Sequence, residues 1–376
     1  MNNKVIALIL LTSLASCLGT DQENSNEYPI LIELSKDNFP GEKLLSEDVN
    51  SVRLVALETN ESCFFDRISQ VNQVDNKIFI LPYTKTNGVM VFDQQGKYLY
   101  NFGKVGKGPG EFSELIGFSF SKDLKTIYLV SYNDKKLCAY SLDGEFIRDI
   151  SLPTYLCDLE FIGKDDYVAI NNRSHYFKFG DIQTGMYRDT IKWTAGQMSV
   201  GGKLFYKSEP GHFNYSSTLM DTIYSIDAED VYARFCFDFG SQSCSAEELR
   251  NAMEKNRYYP PNKFFLENPY LETSDYLYFG LMRQKESKYY GKDMIRMDQK
   301  SGELVRYKDD IVFRNAQYAM IITYNSELVS VISPAYMNEA RDSILLNQDF
   351  DYPKGFKDII EAMEEEDNPL LFFFTL

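Results

Sequence analysis

Apolar strands that run into a short polar turn and out again recur five times along this chain of 376 residues. Each unit alternates apolar and polar positions on both sides of its turn, which is the pattern of two half-buried antiparallel strands. The turns are marked by Gly96, Gly144, Gly185, Asp230 and Gly302, at spacings of 48, 41, 45 and 72 residues. A spacing in the forties is the length of a four-stranded propeller blade, so the pattern predicts a β-propeller.

The alternation also divides each unit into strands, labelled a to d from the axis outward. In the first complete unit it predicts strands over 68–74, 78–81, 89–92 and 97–102, and the second unit repeats this pattern from Gly117 to Ile150. Further units begin near Leu156, Gly196 and Tyr270, and a last one near 318–332 lacks its outer strands.

Both chain ends carry a segment that can complete the last unit. Ser51 to Leu57 alternates like a strand, and Leu370 to Leu376 is a run of apolar residues. A ring closed by these segments has no open sheet edge at its seam, which protects it from aggregation. The predicted fold is therefore all-β, a six-bladed β-propeller closed by strands from both termini.

Two helices are expected in addition. The interval of 72 residues contains an insertion over about 240–269, between blades 4 and 5, in which Ser245 and Glu248 form a capping box that opens a helix to about Lys255. Near the C-terminus, apolar residues at helical spacing between Pro353 and Glu364 predict a short amphipathic helix before the closing strand.

The lengths of the connections distinguish the two rims of the ring. Strands a and b, and strands c and d, are joined by turns of two to four residues on one rim. The other rim carries the longer connections, predicted at 83–88, 171–175, 207–220 and 283–292 between strands b and c, and at 103–114 and 240–269 between blades. Extra length on one face of a repeat array is typical of the binding face, although unconstrained loops also lengthen without a function.

The N-terminus differs from the rest. Lys4 precedes the apolar stretch Val5 to Leu11 and the tetrapeptide LASC that ends at Cys17, an arrangement that resembles a bacterial lipoprotein signal. The resemblance implies a signal peptide over 1–16, acylation of Cys17, a lipid-anchored polar tether over 17–50 and the propeller over 51–376. An ordinary secretory signal is the alternative, whereas the apolar stretch is too short to span a bilayer.

Charge and cysteine content argue against a nucleic-acid partner and a cysteine zinc site. The formal net charge is −16 and no basic cluster is longer than Lys135-Lys136, which disfavours nucleic acid because phosphate binding needs Lys and Arg. Beyond Cys17 there are five cysteines, an odd number without zinc-ligand spacing. Cys236 and Cys244 could form a disulfide, but buried thiols are favoured.

Three segments together resemble a known family. GKVGKGPGEF (103–112) follows VFDQQGKYL (91–99), and DNPLLFFFTL (367–376) ends the chain. These resemble the six-bladed β-propeller lipoproteins of Bacteroidetes, relatives of NHL-repeat propellers, over residues 51–376. The resemblance implies a fold and a location in the cell envelope, but no common activity and no catalytic residue. The glycines and Pro109 of the first segment favour a packing role over a phosphate-binding one, because no helix follows them.

Candidate ligand-binding residues lie in or beside the predicted long loops. His175 and His212 fall on predicted loops of adjacent blades and could meet, although no third zinc ligand is apparent. The tyrosines suit sugar stacking or protein contacts. The complete set is Tyr83, Lys107, Glu111, Tyr132, His175, His212, Tyr215, Arg283, Tyr289 and Tyr290.

The sequence favours a binding or scaffold module, lipid-anchored in the outer membrane on its periplasmic or surface side, that holds an envelope protein or a glycan on the long-loop rim. The lipid anchor is the only expected membrane contact. No cofactor is predicted. The alternative is a metal-assisted hydrolase or lyase, with a divalent cation such as calcium at the axial opening and Glu111, Asp158 or Glu160 as ligands.

Overall fold

The computed structural model of the chain describes residues 29–84, 88–171, 176–192, 205–208, 212–216, 221–228, 230–255, 260–285, 289–308, 320–322, 327–346, 352 and 354–376. The chain first forms three strands that all join blades built from later residues: β1 (Ile30–Glu33), β2 (Glu42–Leu44) and β3 (Ser51–Ala56). A 3₁₀ turn over Leu45–Glu47 separates β2 from β3.

Blades 1 to 3 are each built from four consecutive strands. Blade 1 contains β4 (Ile68–Val74), β5 (Lys77–Pro82), β6 (Val89–Asp93) and β7 (Tyr98–Phe102). Blade 2 contains β8 (Leu115–Phe120), β9 (Thr126–Ser131), β10 (Lys136–Ser141) and β11 (Phe146–Ser151). Blade 3 contains β12 (Asp158–Phe161), β13 (Asp166–Ile170), β14 (Tyr176–Asp181) and β15 (Tyr187–Lys192).

Blades 4 to 6 include the N-terminal strands. Blade 4 contains β16 (Phe205–Lys207), β17 (Phe213–Tyr215), β18 (Thr222–Ile226) and β19 (Val231–Asp238), with β1 outside β19. Blade 5 contains β20 (Phe264–Glu272), β21 (Tyr276–Lys285), β22 (Tyr289–Asp298) and β23 (Leu304–Lys308), with β2 outside β23. Blade 6 contains β24 (Met320–Ile322), β25 (Leu328–Ile332), β26 (Leu370–Thr375) and β3.

The innermost strands close a ring around the axis. Contacts run from β4 to β8, β12, β16, β20 and β24, and from β24 back to β4. Blade 6 takes its two outer strands from the two chain ends, because β26 pairs with β25 on one side and with β3 on the other. The predicted six-bladed propeller with closure by both termini is confirmed.

Apolar side chains fill each seam between neighbouring blades, with one buried cluster for every seam. Strand β26 shows how one strand serves two seams. Leu370, Phe372 and Phe374 pack toward blade 5, whereas Leu371 and Phe373 pack toward blade 1. Both faces of the strand are therefore buried, which explains why it reads as an unbroken apolar run rather than an alternating one.

Asn368 pins the closing strand to the connection that leads from blade 6 into blade 1. Its Oδ1 accepts the backbone N–H of Phe65 (2.8 Å), and its Nδ2 donates to the carbonyls of Glu58 (2.8 Å) and Cys63 (2.9 Å). Its backbone N–H donates to the Thr59 hydroxyl (2.9 Å), and the side chain is almost fully buried. This residue of the DNPLLFFFTL segment thus satisfies three backbone groups that the closing loop leaves without partners.

The structure corrects the predicted boundary of the N-terminal tether. Residues 30–44, expected to belong to a polar tether over 17–50, add parallel strands to β19 and β23. Ile32 and Leu34 are buried at the seam of blades 4 and 5. Asp48 then accepts from Arg296 Nη1 (2.7 Å) and Tyr307 Oη (2.5 Å). The alternation in Ile30 to Leu34 is too short to be recognised as a strand in the sequence. These residues become buried only in the groove that the assembled blades 4 and 5 provide.

Among the described residues, three helices lie in the longer connections. The insertion contains a 3₁₀ turn (Gly240–Gln242) and α1 (Ala246–Glu254), and Ser245 and Glu248 form the predicted capping box in both directions (2.9 and 3.2 Å). The short C-terminal helix is confirmed as α3 (Phe356–Ala362). Sequence analysis missed α2 (Pro334–Leu346), which buries Met337, Ala340 and Ile344 on one side. The sequence feature that marks the start of α2 is Pro334, which occupies the first helical position.

Two connections predicted as long loops contain strand residues. The predicted loop 207–220 contains β17, so the connection at 208–212 joins strands a and b, and strands b and c are joined over 216–221. The predicted loop 283–292 contains the end of β21 and the start of β22, paired as far as Lys285 and Tyr289. In both places too few apolar residues alternate with polar ones for the segment to be recognised as a strand.

Two of the glycines that mark the repeat lie in close contact with the preceding blade. Gly96 has φ +84° and Gly185 has φ +69°, which only glycine adopts readily. A Cβ on Gly96 would lie 2.0 Å from the carbonyl oxygen of Ala56, and one on Gly185 would lie 2.3 Å from that of Ser151. The c–d turns of blades 1 and 3 therefore abut the outer strand of the preceding blade.

Candidate binding face at the long-loop rim

We define the long-loop rim as the end of the blades at which strand b connects to strand c and each blade connects to the next. Tyr83 and Tyr132 occupy equivalent positions there in blades 1 and 2. Each follows strand b and donates its backbone N–H to the residue before strand a, Tyr83 to the carbonyl of Arg67 (2.8 Å) and Tyr132 to that of Glu114 (3.0 Å). The repeat thus places a tyrosine near the axis in two consecutive blades.

Large apolar side chains are exposed in the connections around blade 1. Phe64, Tyr83 and Val105 each expose more than half of their surface. The Arg67 guanidinium lies over the Tyr83 ring, 4.1 Å from its centroid, and Lys107 is exposed on the same rim. Exposed apolar groups next to a cation–aromatic pair are characteristic of a protein-binding surface.

A second aromatic pair lies at the rim of blades 2 and 3. The half-buried rings of Tyr132 and Tyr155 are 5.1 Å apart at an interplanar angle of 32°. The Lys135 ammonium lies 4.6 Å from the centroid of Tyr155. Asn133 beside them donates Nδ2 to Glu114 Oε2 (2.7 Å). Two rings with polar neighbours can stack on a ligand and also orient it.

Glu111 organises its own loop. Its Oε2 accepts the backbone N–H of Gly108 (2.7 Å), and its Oε1 pairs with Lys104 Nζ (3.0 Å). The Gly108 hydrogen bond and the Lys104 ammonium hold the pKa of this carboxyl below its usual value. A Cβ on Gly106 would lie 2.0 Å from Glu111 Oε2, and Phe112 is fully buried between blades 1 and 2. The GKGPGEF motif therefore has the packing role that its glycines indicate.

Tyr215 and Arg283 do not contribute to these aromatic surfaces. Tyr215 is fully buried at the seam of blades 3 and 4. Arg283 pairs with Asp293 and lies over the Phe39 ring at 4.5 Å. His175 and the side chains of Tyr289 and Tyr290 lie outside the described residues, although the backbone of both tyrosines belongs to β22.

His212 is buried on the opposite rim, because it precedes β17 rather than following it. Its Nε2 lies 3.1 Å from Oε2 of Glu272, which also accepts from Asn214 Nδ2 (2.9 Å), and Glu272 Oε1 accepts from Arg234 Nε (2.5 Å). Burial alone would raise the pKa of Glu272, but the hydrogen bonds from His212 and Arg234 and the guanidinium charge hold it below its usual value. This network bridges blades 4 and 5.

The polar side chains of the inner strands also bridge blades. The Gln70 amide exchanges two hydrogen bonds with the backbone of Phe118 (2.7 and 2.9 Å). Ser119 Oγ donates to Glu160 Oε2 (2.9 Å), and Asp158 Oδ2 accepts the backbone N–H of Phe205 (3.0 Å). In the part of the chain that the structure describes, no group of three or more His, Cys, Asp or Glu side chains is arranged to hold a metal.

Sequence reasoning missed Phe64, Tyr155 and Arg67. Their signal was the position just before strand a, where a connection reaches the axis, but neither the 57–67 nor the 152–157 connection was counted among the long loops. Positional equivalence between blades would have found them.

The comparisons with known proteins agree with this architecture. The family model described as "Domain of unknown function (DUF4934)" matches residues 30–375. The chain belongs to the DUF4934 family. The match begins at β1, so the family pattern includes the N-terminal strands that the sequence pattern assigned to a tether. No curated protein matches the chain.

Two solved structures show the same fold as this DUF4934 protein. One is a Bacteroides fragilis protein described as exported, with 18% identity and a TM-score of 0.70 over 92% of this chain and 99% of that one. The other is a DUF4221 member from Bacteroides vulgatus, with 12% identity and a TM-score of 0.51 over 87% and 96%. Among the described residues, no helix is long and apolar enough to cross a membrane.

Proposed function

We propose that this protein is an exported lipoprotein, anchored through Cys17, that binds a protein partner in the cell envelope through the long-loop rim of blades 1 to 3. The observation that carries the proposal is the exposure of Phe64, Tyr83 and Val105 in the connections around one blade. A protein partner is favoured over a glycan because phenylalanine and valine offer only apolar surface, which a sugar uses less well than tyrosine.

The rest of the rim supports this reading. Arg67 on Tyr83 and Lys135 on Tyr155 are cation–aromatic pairs at the edges of the apolar groups. Tyrosine and arginine are enriched among the residues that carry most of the energy of protein interfaces. The interblade hydrogen bonds hold the ring rigid, so little ordering entropy would be lost on binding. The signal that ends at Cys17 and the similarity to an exported Bacteroides protein support the location.

The test compares three forms of the mature protein as baits in envelope extracts: wild type, a double variant Phe64→Ser/Tyr83→Ala, and Ile147→Ser. Ile147 is equally exposed but lies on the outer strand of blade 2, so it is a matched control. The captured protein is then purified and its Kd is measured with each form. We expect the double variant to bind at least about ten-fold more weakly, since two interface anchors contribute more than about 1.4 kcal/mol.

The control should bind like wild type. A glycan array is screened in parallel with wild type and with Tyr132→Ala/Tyr155→Ala. Glycan binding that depends on those two rings, without a protein whose affinity depends on Phe64 and Tyr83, would make the partner a sugar. No binding of either kind would refute the proposal.

A further inference from the structure

A second surface with the properties of a ligand site lies on the outer wall of the ring, away from the long-loop rim. A groove of about 510 Å³ separates β1, the outer strand of blade 4, from the c–d turn of blade 5. This volume is in the range of pockets that bind ligands. Nothing in the proposed rim function uses it.

The groove has an apolar floor. Ile30 and Ile32 line it from β1, and Met297 and Leu304 line it from blade 5. Ile32 and Met297 are buried in the seam cluster of these two blades, whereas Ile30 and Leu304 are only partly covered. Gly302 borders the open side with no atom within 4 Å of the position of a Cβ. An added apolar side chain would thus extend an existing core.

One wall of the groove is a strand edge. β1 pairs in parallel with β19 through Ile30 to Glu33 and is the last strand in the described sheet order. The outer edge of a sheet presents backbone N–H and C=O groups that readily pair with another strand, and in β1 one of them, the Glu33 carbonyl, already accepts from Asn38 Nδ2 (3.3 Å). Blade 4 has already been extended once in this way, by β1 itself.

Charge and sequence indicate what fits. Glu33 is the charged side chain among the lining residues, and the chain as a whole carries −16. The segment upstream of β1, TDQENSNE over 20–27, is polar and acidic, so it matches neither the apolar floor nor Glu33. An occupant should instead be apolar at alternate positions and carry a basic residue.

We propose that this groove binds an extended peptide segment of a partner protein, which adds as a strand to the free edge of β1. Its alternate apolar side chains fill the space between Ile30 and Leu304, and its basic residue faces Glu33. Main-chain hydrogen bonds give such a complex its affinity and the alternate side chains give it specificity. A four-residue contact spans about 13 Å, the length of β1.

The experiment uses the mature protein and a panel of fluorescein-labelled octapeptides in which Val and Thr alternate and one position is Lys. Fluorescence anisotropy measures Kd for each peptide, for a scrambled peptide of the same composition, and for a version N-methylated at alternate residues. We expect saturable binding of the alternating peptides. N-methylation should weaken it at least about ten-fold because it removes two or more backbone hydrogen bonds.

Two charge reversals locate the site. Glu33→Lys, on an exposed residue, should weaken binding about three- to five-fold, the effect of losing one exposed ion pair. Glu145→Lys, equally exposed in the c–d turn of blade 2, should leave Kd unchanged. No saturable binding of the panel, or equal binding of the N-methylated peptide, or an equal effect of both reversals would overturn the proposal. None of these outcomes bears on Phe64 or Tyr83, so the two proposals fail independently.

Discussion

Replacing Asn368 by alanine tests how the ring is closed. The substitution removes an amide that is almost fully buried and that makes three hydrogen bonds to backbone groups of the 57–67 connection. The backbone N–H of Phe65 loses its acceptor, and the carbonyls of Glu58 and Cys63 lose a donor. The Phe65 and Cys63 groups are buried, whereas the Glu58 carbonyl keeps the Cys63 thiol as a donor (3.1 Å).

The magnitude follows from the cost of leaving buried polar groups unpaired, which is about 1–3 kcal/mol each. Assigning about 2 kcal/mol to the Phe65 amide donor and about 1 kcal/mol to the Cys63 carbonyl gives roughly 3 kcal/mol, since an orphaned N–H is the worse defect. Domains are stable by only about 5–15 kcal/mol, so this is a large fraction. With an unfolding entropy of about 2.1 cal/mol/K per residue, a domain of this size should lose about 4 °C in Tm.

Thermal and urea unfolding of the mature protein, followed by far-UV circular dichroism, measure the effect. Asn338→Ala, on the exposed side of α2, is the matched control and should change stability by no more than about 0.5 kcal/mol. Asn368→Asp should be at least as destabilising as Asn368→Ala at neutral pH, because its carboxylate would face two carbonyl oxygens. It should recover in part in acid, where the protonated group can donate. A loss under about 1 kcal/mol for Asn368→Ala would refute the reasoning.

Three further results are expected. Glu272→Ala should lower the free energy of unfolding by about 3–5 kcal/mol, because it leaves the buried guanidinium of Arg234 without this carboxylate. Since folding lowers the pKa of Glu272, this stabilisation should be present above the pKa of Glu272 in the unfolded chain and should disappear as pH falls through its pKa in the folded protein. A urea midpoint that fell equally with pH in wild type and in the variant would contradict this. Glu111→Ala should make its loop sensitive to trypsin, whereas Glu114→Ala should not; equal digestion of both would show that Glu111 does not hold the loop. Deleting residues 29 through Leu44 should destabilise the ring by at least about 3 kcal/mol, because the buried side chains of Ile32 and Leu34 are lost. An unchanged urea midpoint would show that this segment is a tether, as the sequence predicted.

The positions of the strands could be predicted where a blade is regular. The predicted strand 68–74 coincides with β4, and the predicted strand over 89–92 differs from β6 by one residue. Prediction failed in blade 4, where β16 and β17 have three residues each. A three-residue strand shows too little alternation to be told from a loop, so His212 was assigned to the wrong rim.

The candidate site was harder to predict than the fold. Tyr83 and Tyr132 were identified because they lie in loops and are amphipathic, and the structure places both at the long-loop rim. Tyr215 looked the same in the sequence, but it is fully buried against Phe177 and Phe205. Exposure depends on the neighbouring blade, which is remote in sequence, so no local pattern distinguishes these tyrosines.

The sequence by itself determined the number of blades, the closure by both chain ends and the packing role of the GKGPGEF motif, because each depends on local periodicity, turn residues or backbone freedom. Only the tertiary structure decided that residues 30–44 belong to the ring and that Gly96 and Gly185 contact the preceding blade. It also decided which aromatic side chains reach the surface. The physical reason is the same in each case: a blade buries its faces only against its neighbours, so what a residue contacts is set by the seam and not by its own strand.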